Sequence, residues 1–516
     1  FSMRQIDFFD QGVALAPDAP CLSDDALTLG FADVQARTNR IANRLRRKGI
    51  EAAAVLSPNG VAGFLAILGI FRSEAVSVAL NARAAHKDNL AHIAFGQSQL
   101  LFYHSSLEAE AAALQRDAAS LVEFVCLDRT GTLGIALDDW LGETPARAPA
   151  LLPDDPLRVY RITLTGGTTG SPKGVAHAHL QAEVNTAAYL AALRYDQPPR
   201  YLVAAPMTHA AGLVGFHALA LGGSMHFLAR PDAGLVLQAL HDHRITTVVL
   251  PPTLLYALLA HPRLRDFDYS ALRYVLVGTA PVSADKIREA IAAFGPVLGQ
   301  IYGQSECPMI SYLSPADVAA AASDPTREAR LLSCGRPLPL TVMGVMDDAG
   351  NLLGDGEAGE IVVRSNQRMR GYLGNEQASA DCSQFGWHHT SDIGYRDRDG
   401  FYYIVDRKRD LIISGGFNVY PSEVEQVIWS HPAVQDCAVI GVPDDRWGEA
   451  VKAVIQLKPG QQVDAEEIVT ICKARVGSIK APKTVEFWPD LPRSAVGKVL
   501  KREIRDRFWS AQSRKI

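Results

Sequence analysis

Residues Leu164 to Gly174 read LTGGTTGSPKG, one lysine among four glycines, three threonines, a serine and a proline. A triphosphate needs backbone N–H groups turned toward it, glycines that allow close approach, hydroxyl donors and a cation. Thr165, Gly166, Gly167, Thr168, Thr169, Gly170 and Lys173 supply all four. The loop is not a Walker A motif: Pro172 precedes Lys173, and no Lys-Ser or Lys-Thr pair closes a GxxxxG frame. Ile162 and Leu164 read as a strand leading in, and His177 onward reads as a helix leading out. Those flanks argue for a phosphate seat on an α/β scaffold and against a solvated linker.

Composition narrows the class of molecule around this loop. The chain has 516 residues, 48% hydrophobic and 21% charged, which suits a folded enzyme of roughly three or four units, or of one large domain plus a smaller one. Lysine and arginine total 51 against 56 acids, for a net charge of -5, so no basic footprint for nucleic acid exists. The 7 cysteines stand singly, without CxxC spacing, and read as reduced thiols of a cytoplasmic protein. No signal peptide follows Met3. The stretch Tyr201 to Ala229 lacks any Asp, Glu, Lys or Arg, yet Pro206, Gly222 and Gly223 cut it into strand- and helix-length pieces. It reads as buried core with a functional loop, and His217 and His226 as packing or hydrogen-bonding histidines, not metal ligands.

Strand, turn and helix alternate along most of the chain. Ala52 to Leu56, Val61 to Phe71 and Ala75 to Leu80 form one such βαβ pattern. The apolar runs Thr246 to Leu250, Tyr274 to Val277 and Val297 to Ile301 each end in proline or glycine. In a doubly wound sheet these loops converge at the carboxyl ends of the strands, where ligands bind. A charged knot, Asp406 to Asp410, precedes roughly a hundred residues of mixed composition, including a helix from Pro421 and strands over 436–442 and 451–457. The expected fold is α/β: a large N-terminal domain with doubly wound sheets over 1–407 and a smaller, mobile α+β C-terminal domain over 408–516.

The glycine-rich loop resembles the TSGTTGxPKG signature of the adenylate-forming superfamily, which includes acyl-CoA synthetases, peptide synthetase adenylation domains and firefly luciferase. Gly166 stands where the signature has serine, which removes one hydroxyl and keeps the backbone cradle. Further motifs of that family follow in order. They are the loop Pro206 to Gly212 with His209; Gly278, Thr279, Ala280 and Pro281; Tyr302, Gly303, Gln304, Ser305 and Glu306; Gly386 to Asp392; Ser414 to Pro421; and Pro492 to Lys498.

The resemblance implies a role for each. Tyr302, with Gly278, Thr279 and Ala280, would face adenine; Gly303, Gln304 and Ser305 would meet the nucleotide, Ser305 at the α-phosphate. Glu306 would hold Mg²⁺, a hard cation suited to carboxylate and phosphate oxygens. Asp392 would accept the ribose hydroxyls and Arg407 would donate to ribose or phosphate. Lys498 would be the catalytic lysine, bridging carboxylate and α-phosphate as charge builds on phosphorus. Taken alone, each of these charges reads as an ordinary solvated group or a turn residue. Arg409 matches the hinge, Ser414, Gly415, Gly416 and Phe417 the coenzyme A tunnel, and His209 the boundary between the acyl site and the thiol entrance.

The implied activity is AMP-forming acid–CoA ligation: ATP adenylates a carboxylate and coenzyme A takes the acyl group. Val214, Phe216, Met309, Pro308 and Ile310 are apolar neighbours of motif residues, and with His209 they favour an aliphatic or aromatic acid. Arg273, close to the adenine loop, keeps a malonate-type dicarboxylate open. Loading of a carrier-protein pantetheine, a non-catalytic nucleotide or acyl sensor, and assembly as a homodimer also stay open at this point.

Overall fold

The computed structural model describes residues 3–165, 172–280, 282–444, 446–493 and 499–509. The chain divides into two compact units, one of residues 1–342 and 364–388, the other of residues 343–363 and 389–516. The 407/408 boundary expected from the charged knot lies inside the second unit. His388–Arg396 pairs with Tyr402–Arg407, and the second of these strands is tied to the residues that follow by the Ser422 N–H bond to Asp406 at 2.8 Å.

The first unit carries two sheets. One runs, edge to edge, Gly371–Tyr372, Lys173–Ala178, Val159–Thr165, Val76–Asn81, Ala52–Ser57, Leu100–Tyr103, Glu123–Cys126 and Ile135–Ala136. It is parallel from Val159–Thr165 onward. Ala52–Ser57 is buried along its whole length, as a strand covered on both faces must be. The other sheet places Arg200–Val203, Thr247–Leu250, Tyr274–Val277 and Leu298–Gln304 side by side and parallel, so the loops that follow them share one edge. Cys307–Leu313 returns antiparallel against Leu298–Gln304.

LTGGTTGSPKG departs from the strand-to-helix reading. Lys173–Ala178 is a strand paired antiparallel to Val159–Thr165, and the helix His179–Ala192 starts only after it. The glycine-rich stretch therefore joins two strands at the pair Thr165 and Lys173. Gly174 permits this pairing: a Cβ there would stand 2.7 Å from the Phe95 ring. The apolar stretch from Tyr201 folds as strand Arg200–Val203, helix Ala210–Ala220 and strand Ser224–Phe227, and among the described residues no helix is long and apolar enough to cross a membrane.

The second unit has a sheet of Val342–Met346, Gly359–Arg364, His388–Arg396 and Tyr402–Arg407, and another built on the long antiparallel pair Val434–Asp444 and Gly448–Leu457. Helices Pro421–Trp429 and Ala465–Lys480 bury Val424, Ile428, Ile468 and Cys472 with Val439, Val451 and Ile455 of that sheet. The strand Thr484–Phe487 and the helix Lys501–Trp509 are additions to the sequence reading.

Candidate active site

In the first unit the site is organised by one tight hairpin. Gln304 pairs with Cys307, which leaves Ser305 and Glu306 as the two turn residues. Gly303 has to be glycine, because a Cβ would fall 2.1 Å from the Pro308 carbonyl oxygen. The turn is held from outside the hairpin. Met369 N–H donates to the Glu306 carbonyl at 2.6 Å, and the Tyr372 hydroxyl donates to the Glu306 carboxylate, also at 2.6 Å. The Lys173 ammonium stands 4.7 Å from the centre of the Tyr372 ring, a cation–π contact linking the lysine of the glycine-rich stretch to the acid of the turn. Burial, then the Glu306 charge, push the Tyr372 phenol far above its usual range, so it stays a hydrogen-bond donor.

The neighbouring strand end fits closely against this hairpin. Gly278 follows Tyr274–Val277, and a Cβ there would lie 2.8 Å from Ile301. Thr279 is held at φ 75°, unusual for a β-branched residue, and the Thr279–Ala280 pair is exposed at the sheet edge. Tyr302 is buried to 8% exposure, and Gln304 Oε1 lies 3.3 Å from His388 Nε2. Ser305 is exposed. Among the described residues no three metal-ligating side chains cluster, so a cation bound here would rest on Glu306 with oxygens it brings itself. Magnesium on nucleotide phosphates binds in that way and fits the single anchored carboxylate.

His209 is exposed and precedes the helix Ala210–Ala220, with its Nδ1 3.0 Å from Thr208 Oγ1. Gly212 allows that turn, since a Cβ would meet the Met207 carbonyl oxygen at 1.9 Å. A pocket beside it is lined by Phe64, Ile67 and Phe71, by Ser77, Ala79 and Arg161 of the sheet, and by Met207, Thr208, Gly212, Leu213 and Phe216. Phe216 lines this cavity, and Val214 and Met309 are fully buried. Arg273 is spent locally, its Nη1 donating to the carbonyls of Ser270 and Leu272 at 3.0 and 2.9 Å.

In the second unit Asp392 and Arg407 face each other across a strand pair, and the guanidinium Nε meets the carboxylate at 2.6 Å. Asp392 is 2% exposed and follows Ser391, held at φ 58°. Arg409 is exposed and 3.7 Å from Asp410. Ser414 pairs with Phe417 across Gly415 and Gly416, both at positive φ, which makes the two-residue turn that glycine pairs favour and leaves Phe417 exposed. Gly166, Gly167, Thr168, Thr169, Gly170 and Lys498 lie outside the described residues. The chain on either side of Lys498 is fastened: Arg493 bridges to Val499, and Lys501 pairs with the buried Glu425 at 2.8 Å. Sequence reasoning missed Tyr372, which carries no local signature.

The chain belongs to the family of AMP-binding enzymes: residues 9–373 match that family and residues 423–498 match the AMP-binding enzyme C-terminal domain. It is similar to the feruloyl-CoA synthase of an Amycolatopsis species, 36% identical over 96% of this chain and 97% of that one. It is 40% identical to the medium/long-chain-fatty-acid–CoA ligase of Mycobacterium tuberculosis over 72% of this chain, and the match spans 65% of that relative's length. Among solved structures, the amide bond synthetase McbA of Marinactinospora thermotolerans superposes with a TM-score of 0.88 at 30% identity, covering 98% of this chain and 100% of that one. The chain is accordingly an AMP-forming acid–thiol ligase by class.

Proposed function

We propose that this enzyme adenylates a largely apolar carboxylic acid with Mg²⁺-ATP and passes the acyl group to coenzyme A. The Tyr372–Glu306–Lys173 arrangement carries the reading, because it fixes one carboxylate and one ammonium next to the glycine-rich hairpin. Thr165, Lys173 and the residues from Gly166 to Gly170 receive the phosphates; Glu306 carries the magnesium that neutralises them. Tyr302 and the Gly278–Ala280 loop hold adenine, while Asp392 and Arg407 take the ribose. Lys498 stabilises charge in the first half-reaction. A swing at Arg409, which lies inside the second unit, then brings Ser414 to Phe417 to the pantetheine for the second. The names of the two relatives support coenzyme A as the thiol. The free cysteines among the described residues suit the cytoplasm.

The test is pyrophosphate release and thioester formation across fatty, aryl and dicarboxylic acids, with and without coenzyme A. Thioester that forms only with coenzyme A supports the reading. Adenylation with transfer only to a carrier protein or an amine would reassign the acceptor, and no turnover on any acid would refute the enzyme.

A further inference from the structure

The hairpin that presents Ser305 and Glu306 slips out of register beside its turn. Tyr302 pairs with Ser311 and Gln304 with Cys307, so Gly303 alone stands opposite Pro308, Met309 and Ile310. A bulge of this kind bends the strand and re-aims the side chains next to it. The backbone groups it leaves out of the ladder need partners from elsewhere.

At Met309 a single side chain supplies them. Gln367 is fully buried, and its amide takes both backbone groups of Met309: Oε1 accepts from the Met309 N–H at 3.1 Å, and Nε2 donates to the Met309 carbonyl. The rest of the amide is engaged as well. Nδ2 of the buried Asn185, on helix His179–Ala192, donates to Oε1 at 3.2 Å, and Nε2 donates to Thr341 Oγ1 at 2.8 Å. Two bonds accepted and two donated use all that a glutamine amide offers, which fixes its orientation as well as its place. Gln367 therefore stands in for a neighbouring strand at the one point where the hairpin lacks one.

The segment that begins at Gln367 touches the turn twice more, through the Met369 N–H on the Glu306 carbonyl and the Tyr372 hydroxyl on the Glu306 carboxylate. Residues 306–309 are thus clasped at three points by residues 367–372. Tyr372 orients the carboxylate itself, whereas Gln367 sets where the bulged strand carries it.

We propose that Gln367 is a positioning residue for the magnesium nucleotide: by filling the bulge at Met309 it aims the Ser305–Glu306 turn at the metal. This rests on the reading of Glu306 as the carboxylate that carries magnesium, and adds to it the group that holds that carboxylate in place.

The experiment measures ATP binding by equilibrium dialysis over a magnesium titration, beside two half-reactions: pyrophosphate release with hexanoate or cinnamate, and thioester formation from prepared hexanoyl or cinnamoyl adenylate with coenzyme A. In Gln367→Leu both Met309 groups lose their partner. The magnesium needed for half-maximal ATP binding should rise by about tenfold or more, pyrophosphate release should fall with it, and thioester formation from the supplied adenylate should keep its rate. Gln367→Glu supplies a control of similar shape. Burial favours its neutral acid, which accepts from the Met309 N–H and donates to the Met309 carbonyl. Measured against the wild type at each pH, this variant should need less magnesium at pH 6 than at pH 8. A lower melting temperature with an unmoved magnesium titration, or an equal loss in both half-reactions, would overturn the proposal and leave the ligase standing. Should Gln367→Leu fail to fold, the pH dependence of Gln367→Glu decides, and a magnesium requirement equal at both pH values would overturn the proposal. A wild-type enzyme that binds no ATP at any magnesium concentration would overturn the ligase reading and this proposal with it.

Discussion

Tyr372 donates its phenolic hydrogen to Glu306 across 2.6 Å, although the two residues lie 66 positions apart. The contact fixes the one acidic side chain of the turn at the end of strand Leu298–Gln304. Tyr372→Phe removes the donor and leaves the carboxylate to reorient, a loss of about 1–3 kcal/mol or roughly five- to a hundred-and-fiftyfold. We expect pyrophosphate release to fall by that factor and the magnesium needed for half-maximal rate to rise. Unchanged magnesium titrations would show that Tyr372 only packs.

Gly303→Ala pushes a methyl group into the Pro308 carbonyl and must spread the hairpin that presents Ser305 and Glu306. Equilibrium dialysis should find ATP binding lost in this variant while its circular dichroism stays that of the wild type. Retained ATP binding would mean that the turn tolerates opening.

Lys498→Ala should slow the first half-reaction by about 10²–10³, the usual cost of removing one donor to developing charge. Arg409→Pro should behave oppositely, keeping pyrophosphate release from acid and ATP and losing thioester formation. Equal loss of both half-reactions in Arg409→Pro would count against a pivot at that position.

Lys501 and Glu425 are joined inside the second unit, and Glu425 also accepts from the Val439 N–H at 2.7 Å. Burial raises the Glu425 carboxyl, while the facing carboxylate raises the Lys501 ammonium despite its burial. Lys501→Met strands a buried acid, and about 3–5 kcal/mol of stability should go with it. Urea unfolding would read that loss, and the double variant with Glu425→Gln should recover much of it.

His92 and His217 are buried beside the Ile162 and Val214 carbonyls, and burial pushes both down to about 4. Their folded pKa lies below the unfolded value of about 6.5, so the unfolded chain binds more protons in between. Stability from this source is complete above pH 6.5 and drains away as pH falls toward 4, by up to roughly 3 kcal/mol per histidine. Urea midpoints from pH 5 to 7.5 should rise with pH, and His217→Gln should flatten the curve.

Much of this fold is legible in local pattern. Ala52–Ser57 and Tyr274–Val277 are apolar runs bounded by turn residues, and both are strands. LTGGTTGSPKG announces a phosphate loop by residue chemistry, yet the strand after it was not legible. Val175 and His177 suit helix or sheet equally, and only pairing with Thr163 and Arg161 across the hairpin decides. Tyr372 escapes for a related reason: its significance comes from a partner that tertiary packing brings near. Arg273, the arginine that proximity in sequence put forward, spends its guanidinium on its own loop.

The backbone passes from the first unit to the second at residue 343, returns at 364, and leaves again at 389. A single proteolytic nick after Arg407 would therefore not release a self-sufficient fragment. The piece from Lys408 onward would forfeit the strands that carry Asp392 and Arg407, together with the Ser422 N–H bond to Asp406 at 2.8 Å. Anyone wishing to express the small unit alone must splice 343–363 to 389–516, since no simple truncation yields it whole.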